Sequence, residues 1–111
     1  MKLVVAIIQP QQLPAIKDAL KASKFENMTC TNILGTIPNV EERYKFRGVD
    51  QEIFLFQKVR VEIAVNDESL QRLVDAISQG GRASGGFGKI FVTNLADCIT
   101  LATGESGPGE I

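Results

Sequence analysis

Residues 3–8, Leu-Val-Val-Ala-Ile-Ile, contain no polar side chain. A strand with one wet face alternates polar and apolar residues, so this run predicts a strand covered on both faces, inside a sheet and away from its edge. Pro10, which lacks a backbone N–H, ends it. The chain must therefore supply strands on either side of this one and something to cover each face.

The remaining pattern supplies them. Leu13, Ile16, Ala19 and Leu20 recur at helical spacing with Lys17, Asp18 and Lys21 opposite, which predicts a helix over residues 11–23. Residues 28–36 alternate, with Met28, Cys30, Ile33 and Leu34 as apolar members and Gly35 near the end, and predict a second strand. Over 57–65 the alternation is cleaner. Val59, Val61, Ile63 and Val65 face one way and Lys58, Arg60 and Glu62 the other, a strand with one polar face. Leu70, Leu73, Val74 and Ile77 define a second helix, started by Asn66 or Asp67 as N-cap and ended at Gly80-Gly81. Residues 89–93 predict a fourth strand and 97–102 a short fifth. The segment 103–111 lacks core residues and is expected at the surface, against a neighbouring chain.

The order strand, helix, strand, strand, helix, strand over 1–111 is that of a single α+β domain, a ferredoxin-like βαββαβ sandwich. Two helices cover one face of a four-stranded sheet. The other face, carrying Ala6 or Ile7, Thr29 and Glu62, is expected to be covered by oligomerisation.

Charge excludes several functions. Twelve basic and thirteen acidic side chains give a net charge of −1 with no long block of one sign, so a nucleic-acid or membrane surface is not expected. The opening apolar run is too short for a signal peptide or a membrane span, which leads us to expect a cytoplasmic protein. Cys30 and Cys98 have no metal-ligand spacing, and the chain has no histidine. Reduced, buried thiols and no metal site are expected.

Two connections carry the candidate chemistry. Five of the nine residues 80–88 are glycine, so their N–H groups can turn toward one point, with Lys89 beside them as a cation: a cradle for phosphate, or a merely flexible helix-to-strand link. It is not a P-loop, because it follows a helix and enters a strand. The second connection, about twenty residues between the second and third strands, exceeds ordinary loop lengths. Its charges alternate in sign among Tyr44, Phe46, Ile53 and Phe54, which suits a protruding segment that orders against a partner, or else a long β-ribbon.

Across the whole chain the sequence resembles the PII signal-transduction proteins. The resemblance is carried by Ala6-Ile7-Ile8-Gln9-Pro10, by Met28-Thr29 with Gly35, and by Phe46-Arg47-Gly48. Lys58-Val59-Arg60-Val61-Glu62-Ile63, Gly88-Lys89-Ile90-Phe91-Val92 and the ending Thr103-Gly104-Glu105 continue it. It implies a homotrimer with adenine-nucleotide clefts between subunits and a T-loop, here about 37–55, that engages a membrane transporter or a metabolic enzyme. It implies regulation and not substrate turnover. Carried over by position, Ile7, Thr29, Gly35, Ile63 and Ala64 wall the adenine and ribose, and Glu62 is the carboxylate near the ribose. Gly86, Gly88 and Lys89 belong to the phosphate-facing loop of about 80–89, which brings Arg82 and Phe87 with it. Asn39 and Lys58 stand at the effector site at the T-loop base, while Tyr44, Phe46, Arg47, Gly48 and Gln51 lie in the partner-binding part of the loop.

The sequence also departs from the family pattern. The glycine-rich loop is one residue shorter, its usual lysine falls at Ser84, and the aspartate before Gly88 is Phe87. The two arginines usual before Thr103-Gly104 correspond to Thr100 and Ala102. Asn39 replaces a glutamine, Pro38 an arginine, and Gln51 the tyrosine that many bacterial members modify. A triphosphate would lose two or three cationic partners; at about 1.5–3 kcal/mol per charge-assisted contact, losing two weakens it by roughly two to four powers of ten. Arg82 can replace one. The expected ligand is therefore AMP or ADP in preference to ATP, or another small anion such as bicarbonate or 2-oxoglutarate, with no obligatory cofactor. The rival within signalling is a conventional nitrogen regulator that senses ATP, ADP and 2-oxoglutarate. Outside it stand an acylphosphatase-like hydrolase, opposed by the lack of histidine and of an activated nucleophile, and a copper-tolerance-type metal module, opposed by the lack of clustered ligands.

Overall fold

A computed structural model describes residues 1–37 and 55–111. Among these residues the chain forms strands β1 (Lys2–Ile8), β2 (Thr29–Gly35), β3 (Phe56–Val65) and β4 (Lys89–Asn94), with helices α1 (Leu13–Ala22) and α2 (Leu70–Ala83). The sheet order is β2-β3-β1-β4 with every neighbouring pair antiparallel, the ferredoxin-like α+β arrangement. The apolar run lies inside the sheet, as its composition requires, between β3 and β4.

Both helices pack on one face. Val4, Ala6 and Ile8 of β1 and Val59, Val61, Ile63 and Val65 of β3 form the core with Ile16 and Leu20 of α1 and Leu73, Ala76 and Ile77 of α2. Ala6 thus belongs to the helix side. The uncovered face of β1 carries Leu3, Val5 and Ile7, with Glu62 and Arg60 paired opposite Val5 and Ile7.

Several boundaries move for tertiary reasons. A 3₁₀ turn, Pro10–Gln12, precedes α1 and is closed by the Gln9 N–H donating to Gln12 Oε1 at 2.8 Å. Asn66 stands at the N-cap position of a second 3₁₀ turn, Asp67–Ser69, without a capping bond from its side chain, and α2 itself begins after Ser69. The helix does not stop at Gly80-Gly81 but runs through both to Ala83, because Gly80 lies against the backbone of α1. The expected fifth strand is a single bridge, Ile99 to Ser106, inside a turn that returns the Gly107 N–H to the Cys98 carbonyl. Both cysteines are free, but the expected burial is wrong: Cys30 is exposed and Cys98 half-buried. The cause is strand order. Cys30 sits on β2, an edge strand that the helices do not reach, so even its helix-side Leu34 is exposed.

Asp67 accepts a hydrogen bond from the Met1 ammonium at 2.9 Å and lies 3.9 Å from Lys2 Nζ. The ammonium first, and Lys2 next, hold its carboxyl below the ordinary value of 3.8. A carboxyl with a depressed folded value contributes stability above its unfolded value and loses it as pH falls through the folded one. Acid titration of stability below about pH 4 is therefore expected to flatten in Asp67→Asn, checked by urea midpoints at a series of pH values.

Candidate effector site on the open sheet face

The register places the candidate residues in two groups on one face. Ile7 of β1 lies between Arg60 of β3 and Lys89 of β4. Lys58 follows at the start of β3, where it pairs with Ile33, and Gly35 closes β2 opposite Phe56. These positions share the end of the sheet at which the 80–89 loop arrives and the 38–54 segment departs. Glu62 and Thr29 pair with each other toward the opposite end, and Ala64 pairs with Leu3 beyond them. Thr29 and Gly35 are six positions apart, roughly 20 Å at strand rise, so one protomer does not bring these two ends of β2 together.

Local packing explains why the first group is where it is. A side chain at Gly35 would meet the Lys58 stem at 3.1 Å, so glycine lets that lysine cross the strand end and donate its ammonium to the Thr36 carbonyl. Arg60 Nε donates to Glu62 Oε1, which lowers the free charge in the middle of the face. Lys89 is exposed and has no ion pair among the described residues.

The glycine loop is set by positive φ. Gly85, Gly86 and Gly88 have φ of 120°, 74° and 108°, and a Cβ on Gly88 would lie 2.3 Å from the Ile7 carbonyl oxygen. The loop N–H groups of Ser84 and Gly86 donate to the Gly81 carbonyl. Those of Gly85, Phe87 and Gly88 have no partner among the described residues. On the helix side of the sheet, the same loop lines a separate cleft of about 240 Å³ with Arg82, over Ile8, Ile16 and Ile77. On the open face, the unengaged amides beside Lys89 and Ile7 suit a small anion with an apolar body.

Ile63 stands apart from the other candidates: it is buried on the helix side. Asn39, Tyr44, Phe46, Arg47, Gly48 and Gln51 lie outside the described residues. Sequence reasoning missed Gln12, which is wholly buried and holds the loop from below. Its only signal was a second glutamine just after Pro10. The C-terminal segment has no lysine or arginine beyond Lys89. Thr100, which stands where the family pattern has an arginine, donates to Glu110, and Leu101 is 99% exposed.

The family model of nitrogen regulatory protein P-II matches residues 1–105. The chain belongs to the PII family. It is 39% identical to nitrogen regulatory protein P-II 1 of Methanothermobacter thermautotrophicus, over all of this chain and 97% of that protein. It is 35% identical to nitrogen regulatory protein GlnK1 of Methanosarcina mazei, again over all of this chain and 97% of the relative. The P-II protein of Bradyrhizobium diazoefficiens is 36% identical over 96% of each chain. PII proteins are signalling regulators rather than enzymes, and the family binds small effectors. Among the described residues of this PII chain, no helix is long and apolar enough to cross a membrane.

Proposed function

We propose that this PII protein is a cytoplasmic homotrimer that binds an adenine nucleotide, or another small anionic effector, in clefts between subunits. Occupancy is passed through the 37–55 loop to a membrane transporter or a metabolic enzyme. The observation that carries the reading is the meeting of Lys58, Lys89 and the unengaged glycine-loop amides around Ile7 at one end of an uncovered face. The face is apolar at its centre, with Leu3, Val5 and Ile7 beside Phe91, which is 52% exposed. A second copy covering it would bring Thr29, Glu62 and Ala64 of one subunit to the cationic end of the next, closing a site that one chain leaves in two halves.

The loop at 37–55 leaves β2 beside Lys58, so an effector there biases loop conformations, and a target that prefers one of them reads the signal. The anion preference follows from charge. Among the described residues Lys58, Lys89 and Arg82 are the cations the site offers, and the segment after Lys89 adds acidic charge alone, Asp97, Glu105 and Glu110, which favours AMP or ADP over ATP. Calorimetry with AMP, ADP, ATP, cyclic nucleotides, bicarbonate and 2-oxoglutarate tests the reading, and silence across that panel on a folded trimer would remove it. In Lys89→Ala the affinity for ADP is expected to fall about 10- to 100-fold with little change in Tm, since the side chain is exposed.

The names of the relatives favour a second reading, a conventional nitrogen regulator that binds ATP with 2-oxoglutarate at Lys58 and Asn39. Binding of 2-oxoglutarate only in the presence of Mg-ATP would establish it over the first.

A further inference from the structure

Gln12 is 0% exposed, and its carboxamide is fully directed. Oε1 accepts from the Gln9 N–H at 2.8 Å, while Nε2 donates to the Phe87 carbonyl at 2.9 Å and the Gly81 carbonyl at 3.3 Å. Backbone carbonyls only accept and an N–H only donates, so these partners admit a single orientation of the amide. The consequence lies on the other side of the peptide. The Phe87 carbonyl and the Gly88 N–H belong to one planar trans unit and point in opposite directions. Drawing the carbonyl inward to a buried side chain therefore turns the Gly88 N–H outward, and that N–H is one of the three without a partner among the described residues.

We propose that Gln12 is a positioning residue for anion recognition. By fixing the plane of the 87–88 peptide it presents the Gly88 N–H, and with it the shape of the loop, to a phosphate or carboxylate oxygen. It rests on the anion-site reading above and adds the residue that makes the loop a donor and not a flexible link. A neutral amide is suited to the task because it must face two carbonyls and one N–H at once. A carboxylate there would set its oxygens against carbonyl oxygens, whereas a protonated carboxyl would accept from Gln9 and donate to Phe87 much as the amide does.

That difference supplies the test. AMP and adenosine are titrated into wild type, Gln12→Glu and Gln12→Met between pH 5 and 8, with amide hydrogen exchange at Gly88 followed in parallel. Wild type is expected to prefer AMP over adenosine at every pH. In Gln12→Glu that preference should fall at least about fivefold as pH rises and return as pH falls, while adenosine binding stays level. Gln12→Met should lose the preference at all pH values, with faster exchange at Gly88. If wild type shows no preference for AMP, the anion site fails and the proposal with it. If wild type prefers AMP and both variants keep that preference at every pH, or lose AMP and adenosine equally in step with Tm, the positioning role alone is overturned.

Discussion

Gly88→Ala is expected to lower folding stability by about 3 kcal/mol, roughly 10 °C or more in Tm, and to abolish AMP and ADP binding. Two effects add. A φ of 108° is a conformation that an L side chain adopts at a cost of about 1–2 kcal/mol, and the new Cβ would lie 2.3 Å from the Ile7 carbonyl oxygen. That oxygen is backbone in the central strand, so the loop must move and not β1, and the loop is the proposed anion donor. Gly86→Ala is the control: φ is 74° but nothing lies within 4 Å, so only the conformational cost of about 1–2 kcal/mol applies. Urea unfolding and ligand calorimetry on both variants check the contrast. Equal losses in the two would show that contact with Ile7 does not shape the loop.

Gly80 and Gly81 are expected to respond to alanine with opposite signs. At Gly80 the added methyl would lie 2.7 Å from the Ile16 Cα and 2.9 Å from the Ala15 carbonyl oxygen, both backbone atoms of α1. To restore an ordinary separation of about 3.5–4 Å, one helix must slide by about 1 Å over a close-packed core. Helix propensity returns about 1 kcal/mol, overpacking costs up to about 3, and a net loss near 2 kcal/mol is expected, larger for Gly80→Val. At Gly81 the nearest atom is the Ile16 Cδ1 at 4.0 Å, so Gly81→Ala keeps most of the propensity gain and should raise the urea midpoint. A Gly80→Ala protein as stable as wild type would mean that the helices are not held in contact there.

The two glycines also mark where sequence reasoning stops. As neighbours in an amphipathic pattern they read as a helix end, which is the usual local meaning of paired glycine. Their actual use, close approach of α1 and α2, depends on a residue sixty-odd positions away. Cys30 fails in the same manner. Its alternation with Met28 implies burial, but exposure is decided by which strand ends at the edge. Gln12 carries no motif, and its role exists only because the turn after β1 meets the loop before β4. The segment from 97 to 102 had strand-like composition, but among the described residues it pairs only through the Ile99–Ser106 bridge of a hydrogen-bonded turn.

Local periodicity by itself determined the four strands and two helices, their order and the interior place of residues 3–8, because hydrophobic spacing repeats with the geometry of each element. Only the tertiary structure decided which residues share an end of the open face. Antiparallel register aligns Ile7 with Arg60 and Lys89, and places Glu62 and Thr29 toward the far end. Register is a property of strand pairs, and no single segment contains it.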